Sequence, residues 1–324
     1  MKKNIAIVSG GNSSEWVISV KSARLILDNV DRELFNPYVV TIHEKNWSVE
    51  ADQQANIPVE KNDFSFQLKG NKITFDAVLV MIHGTPGEDG KLQGYFDMLG
   101  IPYSSCDVLT SAITFNKVFC KNYLEKFGIT SARCHLIKKN DKIDHAKVIT
   151  KTGLPCFIKP NNGGSSFGVT KIKSLDEFDK AVKTALKEDN EVLVEEFLEG
   201  TEITCGMLKT SKKEYIFPIT EIVSKNEFFD YEAKYTDGMS EEITPARISE
   251  ELETECKNIS SRIYDILNCK GLVRIDYIYS KDKLYLLEVN TIPGMSPNSI
   301  VPKQIRAANL TVKDILIEIL RDIL

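Results

Sequence analysis

The sequence predicts a mixed α/β protein that starts with a parallel sheet and becomes antiparallel and strand-rich toward its C terminus. In the first third, strand patterns alternate with helix patterns, which is typical of parallel strands joined by helical crossovers. In the last third, strand patterns follow one another with few helices between them, which favours antiparallel pairing. We therefore expect an α/β fold, α+β in its C-terminal part, with three domains over residues 1–105, 106–194 and 195–324.

The first segment begins with a buried-type strand at residues 5–9, followed by a turn and a helix. Two further strands, residues 38–42 and 77–82, complete the predicted parallel sheet. A Lys-Gly-Asn turn between residues 64–68 and 72–75 predicts a hairpin ahead of the last strand. The helix has apolar residues at near-helical spacing, which we expect to be buried: Val17, Val20, Ala23, Leu27 and Val30.

The middle segment opens with a predicted helix over residues 114–127. Strands at residues 156–160 and 169–173 flank a loop rich in glycine and serine. Ser174 and Glu177 have the spacing of a capping box, which predicts the start of another helix. We expect that helix to bury Phe178, Ala181, Val182 and Leu186.

The third segment predicts an antiparallel sheet with two helices packed against it. A long helix is expected at about residues 250–268 and a terminal helix from about residue 311. The strands are predicted at residues 192–197, 202–209, 215–222, 272–280 and 284–290.

Composition and charge exclude several classes of function. The 324 residues include 41 basic and 46 acidic ones, for a formal net charge of −5, which argues against nucleic-acid binding. The apolar stretches are far shorter than the ~20 residues that cross a bilayer, and the N-terminal residues do not have the pattern of a secretory signal. The seven cysteines are scattered without a C-x-x-C pair, which is typical of reduced thiols. We expect a soluble, cytoplasmic protein without a membrane or nucleic-acid partner.

The predicted hairpin of residues 272–290 is the most informative segment. If its loop is residues 281–283, Asp276 lies directly opposite Glu288. Arg274 then lies opposite Asn290, and all four side chains project from one face. Two facing carboxylates persist best with a cation between them, and two acids and an amide suit Mg²⁺. The opposite face would be the core face, with Val273, Ile275, Tyr277, Tyr285, Leu287 and Val289.

Two alternatives remain open for this hairpin. The polar face could be solvated, with Arg274 neutralising one of the acids. A slip of one residue in register would also move every side chain to the other face.

The glycine-rich loop at residues 160–168 suits a phosphate group. Its backbone N–H groups and two serine hydroxyls can hold phosphate oxygens, although it lacks the Gly-Lys-[Ser/Thr] ending of a P-loop. Lys117 and Lys159 would supply the positive charge that a triphosphate needs, whereas a single lysine is more commonly a solvated surface residue.

Two further loops follow predicted strands, where open α/β sheets bind ligands. The first carries Glu15 at the start of a helix, and a carboxylate there is also favoured as a helix cap. This loop lacks the G-x-G-x-x-G pattern of dinucleotide-binding proteins. The second loop carries His83, for which a hydrogen-bonded structural role is the alternative.

Together these motifs resemble the D-alanine–D-alanine ligases of the ATP-grasp superfamily, over residues 5–302. The N-terminal motifs are Gly10-Gly11-x-Ser13-x-Glu15-x-x-Ile18-Ser19 and His83-Gly84-x-x-Gly87-Glu88-Asp89-Gly90-x-x-Gln93-Gly94. The central motifs are Gly153-Leu154-Pro155, Lys159-Pro160 and Gly164-Ser165-Ser166-x-Gly168. The C-terminal motifs are Phe229-Asp230-Tyr231-Glu232-Ala233-Lys234-Tyr235, Arg274-Ile275-Asp276 and Glu288-Val289-Asn290-Thr291-x-Pro293-Gly294-Met295. Several independent motifs in the right order make this resemblance specific.

The resemblance implies an ATP-grasp fold with an N-terminal substrate-binding domain and ATP held between the central and C-terminal domains. Lys117, Lys159 and Lys234 would contact phosphates, and the loop with Ser165, Ser166 and Gly168 would close over them. Glu195, Glu196 and Leu198 would border the adenine, and Glu202 would bind the ribose hydroxyls. The metal, Mg²⁺ or Mn²⁺, would be bound by Asp276, Glu288 and Asn290.

The resemblance also implies the reaction, which is the ATP-dependent joining of two D-alanines through an acyl phosphate, for peptidoglycan precursor synthesis by a homodimer. Glu15 would bind the first D-alanine, with His83 in the same subsite. Arg274 and the N–H of Gly294 would stabilise the tetrahedral oxyanion. The second substrate would be held by Ser299 and Ile300. Glu15, Ser165 and Tyr235 would anchor the loop that closes the site.

Two other functions are weighed against this one. A ligase that joins D-alanine to D-serine or D-lactate would use the same scaffold, and the loop around Tyr235 and the Ser299-Ile300 pair distinguish it. A catalytically silent nucleotide sensor predicts the loss of a metal ligand, a phosphate lysine or Arg274, and none of these is missing. Glu196 stands where this family frequently has a lysine, which leaves the adenine contacts open.

Overall fold

The computed structural model describes residues 2–51, 54–164, 167–224 and 240–324. Three sheets follow one another along the chain. The first is mixed, with two parallel and four antiparallel strand pairings, so the predicted parallel sheet forms only part of it. The second and third sheets are antiparallel. No helix in these described ranges is long and apolar enough to span a bilayer.

The first sheet has the strand order β6-β5-β4-β3-β2-β1-β7. Its strands are β1 Lys3–Gly10, β2 Phe35–His43, β3 Asn46–Ala51, β4 Gln54–Glu60, β5 Ser65–Leu68, β6 Asn71–Ile73 and β7 Ala77–Val80. The parallel pairing of β1 with β2 and β7 is confirmed, as is the β5–β6 hairpin. The antiparallel strands β3 and β4 extend the sheet and were not predicted. Helices α1 Trp16–Asn29 and α2 Lys91–Leu99 belong to this part of the chain.

The predicted buried face of α1 is wrong in its first half. Val17 and Val20 are 58% and 43% exposed, and Ser19 and Ser22 are buried in their place, next to Ala23 and Ile26. The hydroxyl of Ser19 accepts from Gly10 N at 2.8 Å and donates to Met81 O at 2.7 Å. The helix therefore turns its hydroxyl groups toward the strand ends, where they satisfy backbone groups that an apolar side chain would leave unpaired.

The second sheet has the order β10-β9-β11-β8, with β8 Cys134–Lys138, β9 Cys156–Pro160, β10 Thr170–Ile172 and β11 Glu191–Glu196. β11 was predicted as part of the third segment's sheet, but it pairs with β8 and β9. The helices are α3 Val108–Phe115, α4 Lys117–Glu125, α5 His145–Thr152 and α6 Phe178–Ala185.

The helix predicted at residues 114–127 is α4, which begins at Lys117, and a separate helix that was not predicted, α3, ends just before it. Asn116 separates them, and its side chain caps α4 by accepting from Phe119 N at 3.0 Å. The capping box at Ser174 is confirmed, and it starts a short 3-10 turn that leads into α6.

The third sheet is antiparallel, with the order β15-β14-β12-β16-β17 and β13 paired to β12. The predicted strand at residues 215–222 is two strands, β13 Glu214–Ile216 and β14 Thr220–Ser224. The others are β12 Thr201–Lys209, β15 Ser240–Ile243, β16 Gly271–Ser280 and β17 Lys283–Asn290. The helices are α7 Glu250–Ile266, α8 Ile300–Ala307 and α9 Val312–Ile323.

The β16–β17 hairpin has the predicted pairing at one end and a different pairing at the other. Asp276 pairs with Glu288, as predicted. The loop, however, has two residues, Lys281 and Asp282, both at positive φ, as two-residue hairpin turns require. A β-bulge at Leu287 restores the predicted register toward the polar end.

Because of this bulge, the core face predicted for the hairpin is wrong at Tyr285 and Leu287. Leu284 and Leu286 are the buried residues of β17 near the turn, whereas Tyr285 and Leu287 are only partly buried. Leu287 lines a cavity next to Glu288.

Candidate active site

The polar face of the β16–β17 hairpin carries a compact hydrogen-bonded cluster. Arg274 donates to both oxygens of Asp276, from Nε at 2.8 Å and from Nη2 at 2.7 Å. Asn290 Nδ2 donates to Asp276 Oδ2 at 3.0 Å and lies 3.5 Å from Glu288 Oε1. The ion pair between Arg274 and an acid, considered above as an alternative to metal binding, is thus present on the same face as the predicted metal ligands.

Asp276 is held from the neighbouring strand as well. Thr204 on β12 pairs with Asp276 in the ladder, and its hydroxyl donates to Oδ1 at 2.5 Å. Gln304 on α8 in turn donates to the carbonyl of Thr204 at 3.0 Å. These contacts fix the buried carboxylate in one orientation.

The residues of this face fit a magnesium ion that arrives with a phosphorylated substrate. Within the described ranges, no group of three His, Cys, Asp or Glu side chains could hold a metal. Mg²⁺ commonly takes only one or two carboxylates and completes its shell with phosphate oxygens and water. Asp276 and Glu288 supply two carboxylates, and a half-turn of the Asn290 amide would present its oxygen in place of Nδ2.

The predicted phosphate lysines lie next to this cluster. Lys117, the first residue of α4, has its Nζ 3.5 Å from Glu288 Oε2 and donates to Gly163 O at 2.5 Å. Lys159 on β9 donates to Glu195 Oε2 at 2.5 Å. The other oxygen of Glu195 accepts from Lys121, a lysine that the sequence did not single out. Burial lowers the pKa of Lys121 to about 8 and places that of Lys159 well below its ordinary value.

One cavity of about 460 Å³ joins these groups to the predicted adenine side. Glu196 lies in its wall and forms a two-bond ion pair with Arg133, Nε to Oε2 at 2.9 Å and Nη2 to Oε1 at 2.7 Å. This partner gives a physical reason for an acid at position 196. Predicted site residues among the lining are Lys117, Lys159, Glu195, Glu196, Leu198, Glu202, Arg274, Asp276 and Glu288.

Gly168 is placed beside this cavity, whose lining includes its neighbours Phe167 and Val169. Its backbone has φ +70°, and a Cβ there would lie 3.1 Å from the ring of Pro160. Glycine is therefore required for the loop to turn back on β9.

A second cavity of about 160 Å³ adjoins the first. The two share three lining residues, Gly164, Arg274 and Glu288. The predicted substrate residues line the second cavity, together with one metal-ligand candidate: Glu15, His83, Gly294, Ser299, Ile300 and Asn290.

Glu15 is buried and stands at the N-cap position of α1, but its side chain makes no capping hydrogen bond. A Cβ on Gly164 would lie 2.9 Å from Glu15 Oε1, which means that the glycine-rich loop passes directly over this carboxylate. Glu88 lies in the same cavity wall and accepts from Gly84 N at 2.6 Å. Burial and the nearby charge of Glu15 raise the pKa of Glu88 to about 8.

His83 is buried and both of its ring nitrogens are engaged by the protein. Nδ1 donates to Ile292 O at 2.9 Å, so Nε2 accepts from the hydroxyl of Ser22 at 3.1 Å. The same hydroxyl accepts from Met295 N at 3.0 Å. Burial lowers the pKa of His83, which favours this neutral form. The hydrogen-bonded alternative considered for His83 is therefore realised, at the wall of the second cavity.

The far wall of the second cavity is the start of α8. Ser299 precedes the helix, and its hydroxyl accepts from Ser296 N at 3.0 Å. Ile300 is buried and apolar. A Cβ on Gly294 would lie 3.0 Å from Ser299 Oγ, so these two predicted residues are direct neighbours. A helix N-terminus of this kind favours an anionic group.

Four predicted site residues, Ser165, Ser166, Lys234 and Tyr235, lie outside the described residues. Sequence reasoning missed Ser22, Lys121 and Thr204, which hold His83, Glu195 and Asp276. Thr204 could have been found by extending the strand register to β12, because it pairs directly with Asp276. Lys121 is one helical turn after Lys117, but nothing in the pattern marks it as buried.

Comparison with known proteins identifies one family over the whole chain. The models described as D-ala D-ala ligase N-terminus and C-terminus match residues 4–106 and 123–321. The D-alanine--D-alanine ligases of Azobacteroides pseudotrichonymphae and Phocaeicola vulgatus are each 53% identical to this chain over 323 residues, covering 99% of it and 100% and 99% of their own lengths.

Solved structures are also similar to this chain, at lower sequence identity. VanG D-Ala:D-Ser ligase from Enterococcus faecalis has a TM-score of 0.89 at 31% identity and covers all of both chains. A D-alanine--D-alanine ligase from Bacillus anthracis complexed with ATP has a TM-score of 0.79 at 27% identity, covering 99% of this chain and 97% of its own.

Proposed function

This chain belongs to the D-alanine–D-alanine ligase family, and from that premise we propose that its larger cavity binds ATP, its smaller cavity binds D-alanine, and the reaction occurs where they meet. The chain is an ATP-dependent ligase with the ATP-grasp fold that joins two D-alanines to D-alanyl-D-alanine, which fits peptidoglycan precursor synthesis. The observation that supports the site is the shared lining of the two cavities, Gly164, Arg274 and Glu288.

A carboxylate is a poor acyl donor, and phosphorylation overcomes this. Glu15 binds the ammonium of the first D-alanine, whose carboxylate oxygen attacks the γ-phosphorus while the bond to ADP breaks. Lys117 and Lys159 hold the phosphates. Asp276, Glu288 and Asn290 would hold Mg²⁺, which when bound draws charge from the phosphate oxygens.

The amine of the second D-alanine then attacks the acyl phosphate, and phosphate leaves from the tetrahedral intermediate. Arg274 and the N–H of Gly294 would stabilise the oxyanion of that intermediate. Ser299 and the backbone of Ile300 bind the second carboxylate at the start of α8. Glu195, Glu196 and Leu198 border the adenine, and Glu202 binds the ribose.

Loop residues complete this proposal, most of them outside the described residues. Lys234, Ser166 and Gly168 would close over the phosphates, and Ser165 and Tyr235 would anchor the closing loop on Glu15. Closure excludes water, which would otherwise hydrolyse the acyl phosphate.

The central test supplies ATP, Mg²⁺ and single D- or L-amino acids and identifies the dipeptide and the nucleotide product. D-alanyl-D-alanine and ADP are expected. AMP in place of ADP would overturn the acyl-phosphate mechanism.

We propose D-alanine as the preferred second substrate. Ile300 offers no polar group to the hydroxyl of D-serine, and the nearby Glu242 is already paired with Lys303 at 2.8 Å. An apolar pocket rejects an added hydroxyl by only about 10²-fold, so some mixed product is expected at high D-serine. We expect D-alanine to have the highest kcat/KM at neutral pH and D-lactate a negligible one.

The measurement is a competition of D-alanine, D-serine and D-lactate against a fixed D-alanine donor, with products resolved by mass. A mixed product that dominates at equal concentrations would identify a D-alanine–D-serine or D-alanine–D-lactate ligase, the two alternatives above.

Gly164→Ala should selectively impair binding of the first D-alanine. The added methyl would lie 2.9 Å from Glu15 Oε1 and must displace either the carboxylate or the loop. A displacement of this size is expected to lower kcat/KM for D-alanine by about 10- to 100-fold. Gly94→Ala is the matched control, because its methyl would meet only Val108 at 3.6 Å. Equal kinetics for the two variants would contradict the close approach of the loop.

We further propose that the chain has three domains, over residues 1–105, 106–194 and 195–324. We also propose that it is located in the cytoplasm and forms a homodimer. The exposed apolar residues Val17 and Val20 on α1 are consistent with a subunit contact. Light scattering on the purified chain measures its mass in solution, and a monomer at micromolar concentration would contradict the dimer.

A further inference from the structure

A buried lysine without a role in the proposed reaction lies behind the ATP cavity. Lys121 is on α4, one turn after Lys117, and only 3% of its side chain is exposed. Its Nζ donates to Glu195 Oε1. Glu195 is itself 2% exposed, and its Oε2 accepts from Lys159 at 2.5 Å. One carboxylate therefore bridges two lysines, of which Lys159 lines the cavity.

The three groups come from three elements that the fold brings together. Lys159 on β9 and Glu195 on β11 lie on adjacent strands, since Leu193 pairs with Lys159 and Glu195 pairs with Phe157. Lys121 reaches Glu195 from α4 and is not among the residues that line the cavity. The contact between Lys121 and Glu195 spans 74 residues of sequence.

The charges of this triad do not cancel. With both lysines protonated, one carboxylate leaves a net charge of +1. Burial lowers the pKa of both lysines, and a shared carboxylate opposes that shift because an opposite charge favours the protonated form. The net charge is presented to the cavity through Lys159, next to Lys117.

We infer that Lys121 is a positioning residue for nucleotide binding: it holds one oxygen of Glu195 and so leaves Lys159 only partly neutralised and available to the phosphates of ATP. The inference rests on the proposed contact between Lys159 and the phosphates. Without Lys121, both oxygens of Glu195 are free to pair with Lys159. The pair is then neutral, and the attraction for the triphosphate is reduced.

The test compares ligands with and without phosphates. Lys121→Met removes the charge and keeps much of the side-chain volume. Because the loss of Lys121 removes one positive charge from the surroundings of the phosphates, we expect the Kd for ATP with Mg²⁺ to rise about 10- to 100-fold. Adenosine has no phosphate, so its Kd should stay within about threefold of the parent's value. Calorimetric titration measures both constants on the full chain.

A double variant tests the electrostatic argument directly. Lys121→Met with Glu195→Gln removes one positive and one negative charge and leaves Lys159 without a competing carboxylate. The ratio of the ATP Kd to the adenosine Kd should then return to that of the parent, even if the loss of the Glu195 carboxylate weakens the binding of both ligands. Lys126→Met is the matched control, an exposed lysine just after α4 that should change neither constant.

The outcomes distinguish a failure of the inference about Lys121 from a failure of the proposed contact between Lys159 and the phosphates. If Lys121→Met weakens ATP and adenosine equally, or changes neither, Lys121 has only a structural role and the inference is wrong. If Lys159→Met leaves the ratio unchanged, the proposed phosphate contact of Lys159 is the part that fails. If Lys121→Met does not fold, the double variant carries the test, and a ratio of the ATP Kd to the adenosine Kd as high as that of Lys159→Met overturns the inference.

Discussion

Asp276→Asn and Glu288→Gln are each expected to lower turnover by about 10²- to 10³-fold, because each removes a charge from the proposed metal ligands. Both replacements keep nearly the same side-chain shape. The asparagine introduced at position 276 can still accept hydrogen bonds from Thr204 and Arg274 through its one oxygen. The fold should therefore persist, with an unchanged circular dichroism spectrum. The main measurement is kcat as a function of Mg²⁺ concentration, which should shift to higher concentration in both variants.

Asp282→Asn is the matched control for these variants. It makes the same substitution in the exposed turn of the same hairpin, at a residue with φ +57° that asparagine also tolerates. Its activity should equal that of the parent. Near-normal turnover in both Asp276→Asn and Glu288→Gln, with unchanged Mg²⁺ dependence, would show that this face does not bind the metal.

Arg274→Met should lower kcat by ~10²–10³-fold while ATP still binds, because the loss of one preorganised oxyanion donor typically has that effect. Arg274 lines both cavities and makes two hydrogen bonds to Asp276, so its guanidinium is fixed before substrates arrive. Arg274→Lys keeps the charge but not the two-bond geometry and should recover only part of the rate.

The measurement for Arg274 is steady-state kcat together with the Kd for ATP. Arg321→Met on the exposed side of α9 controls for a general loss of positive charge. If Arg274→Met had the kcat of the parent, Arg274 could not be the oxyanion donor. If it instead lost ATP binding and kept kcat, its role would be in the nucleotide site.

The arrangement of the proposed metal ligands could be predicted from sequence because the two carboxylates belong to one hairpin. Pairing within a hairpin depends on local register, and Asp276 and Glu288 are opposite as expected. The predicted loop was nevertheless one residue too long. The bulge at Leu287 compensates for that error, so the prediction held at Asp276 and failed toward the turn.

The supporting contacts could not be predicted, because they join residues distant in sequence. Lys121 and Glu195 are 74 residues apart, and His83 and Ile292 are 209 apart. Hydrophobic periodicity also fails at Ser19 and Ser22, whose burial is driven by backbone groups that need hydrogen bonds. A polar residue on a buried face carries no signal in an apolar pattern.

The hydrogen bonds of His83 limit which segments can be recombined between members of this family. His83 and Ser22, from the first sheet and its helix, bind the backbone of Ile292 and Met295, on either side of Gly294. The loop with the proposed oxyanion donor is thus aligned by the opposite end of the chain. A recombinant that joins residues 1–105 of this chain to the remainder of a distant ligase would take this loop from the distant ligase without the partners that align it there. Crossovers within this family should therefore be tolerated only when both ends of that contact come from one parent, or when the parents share the serine and the histidine.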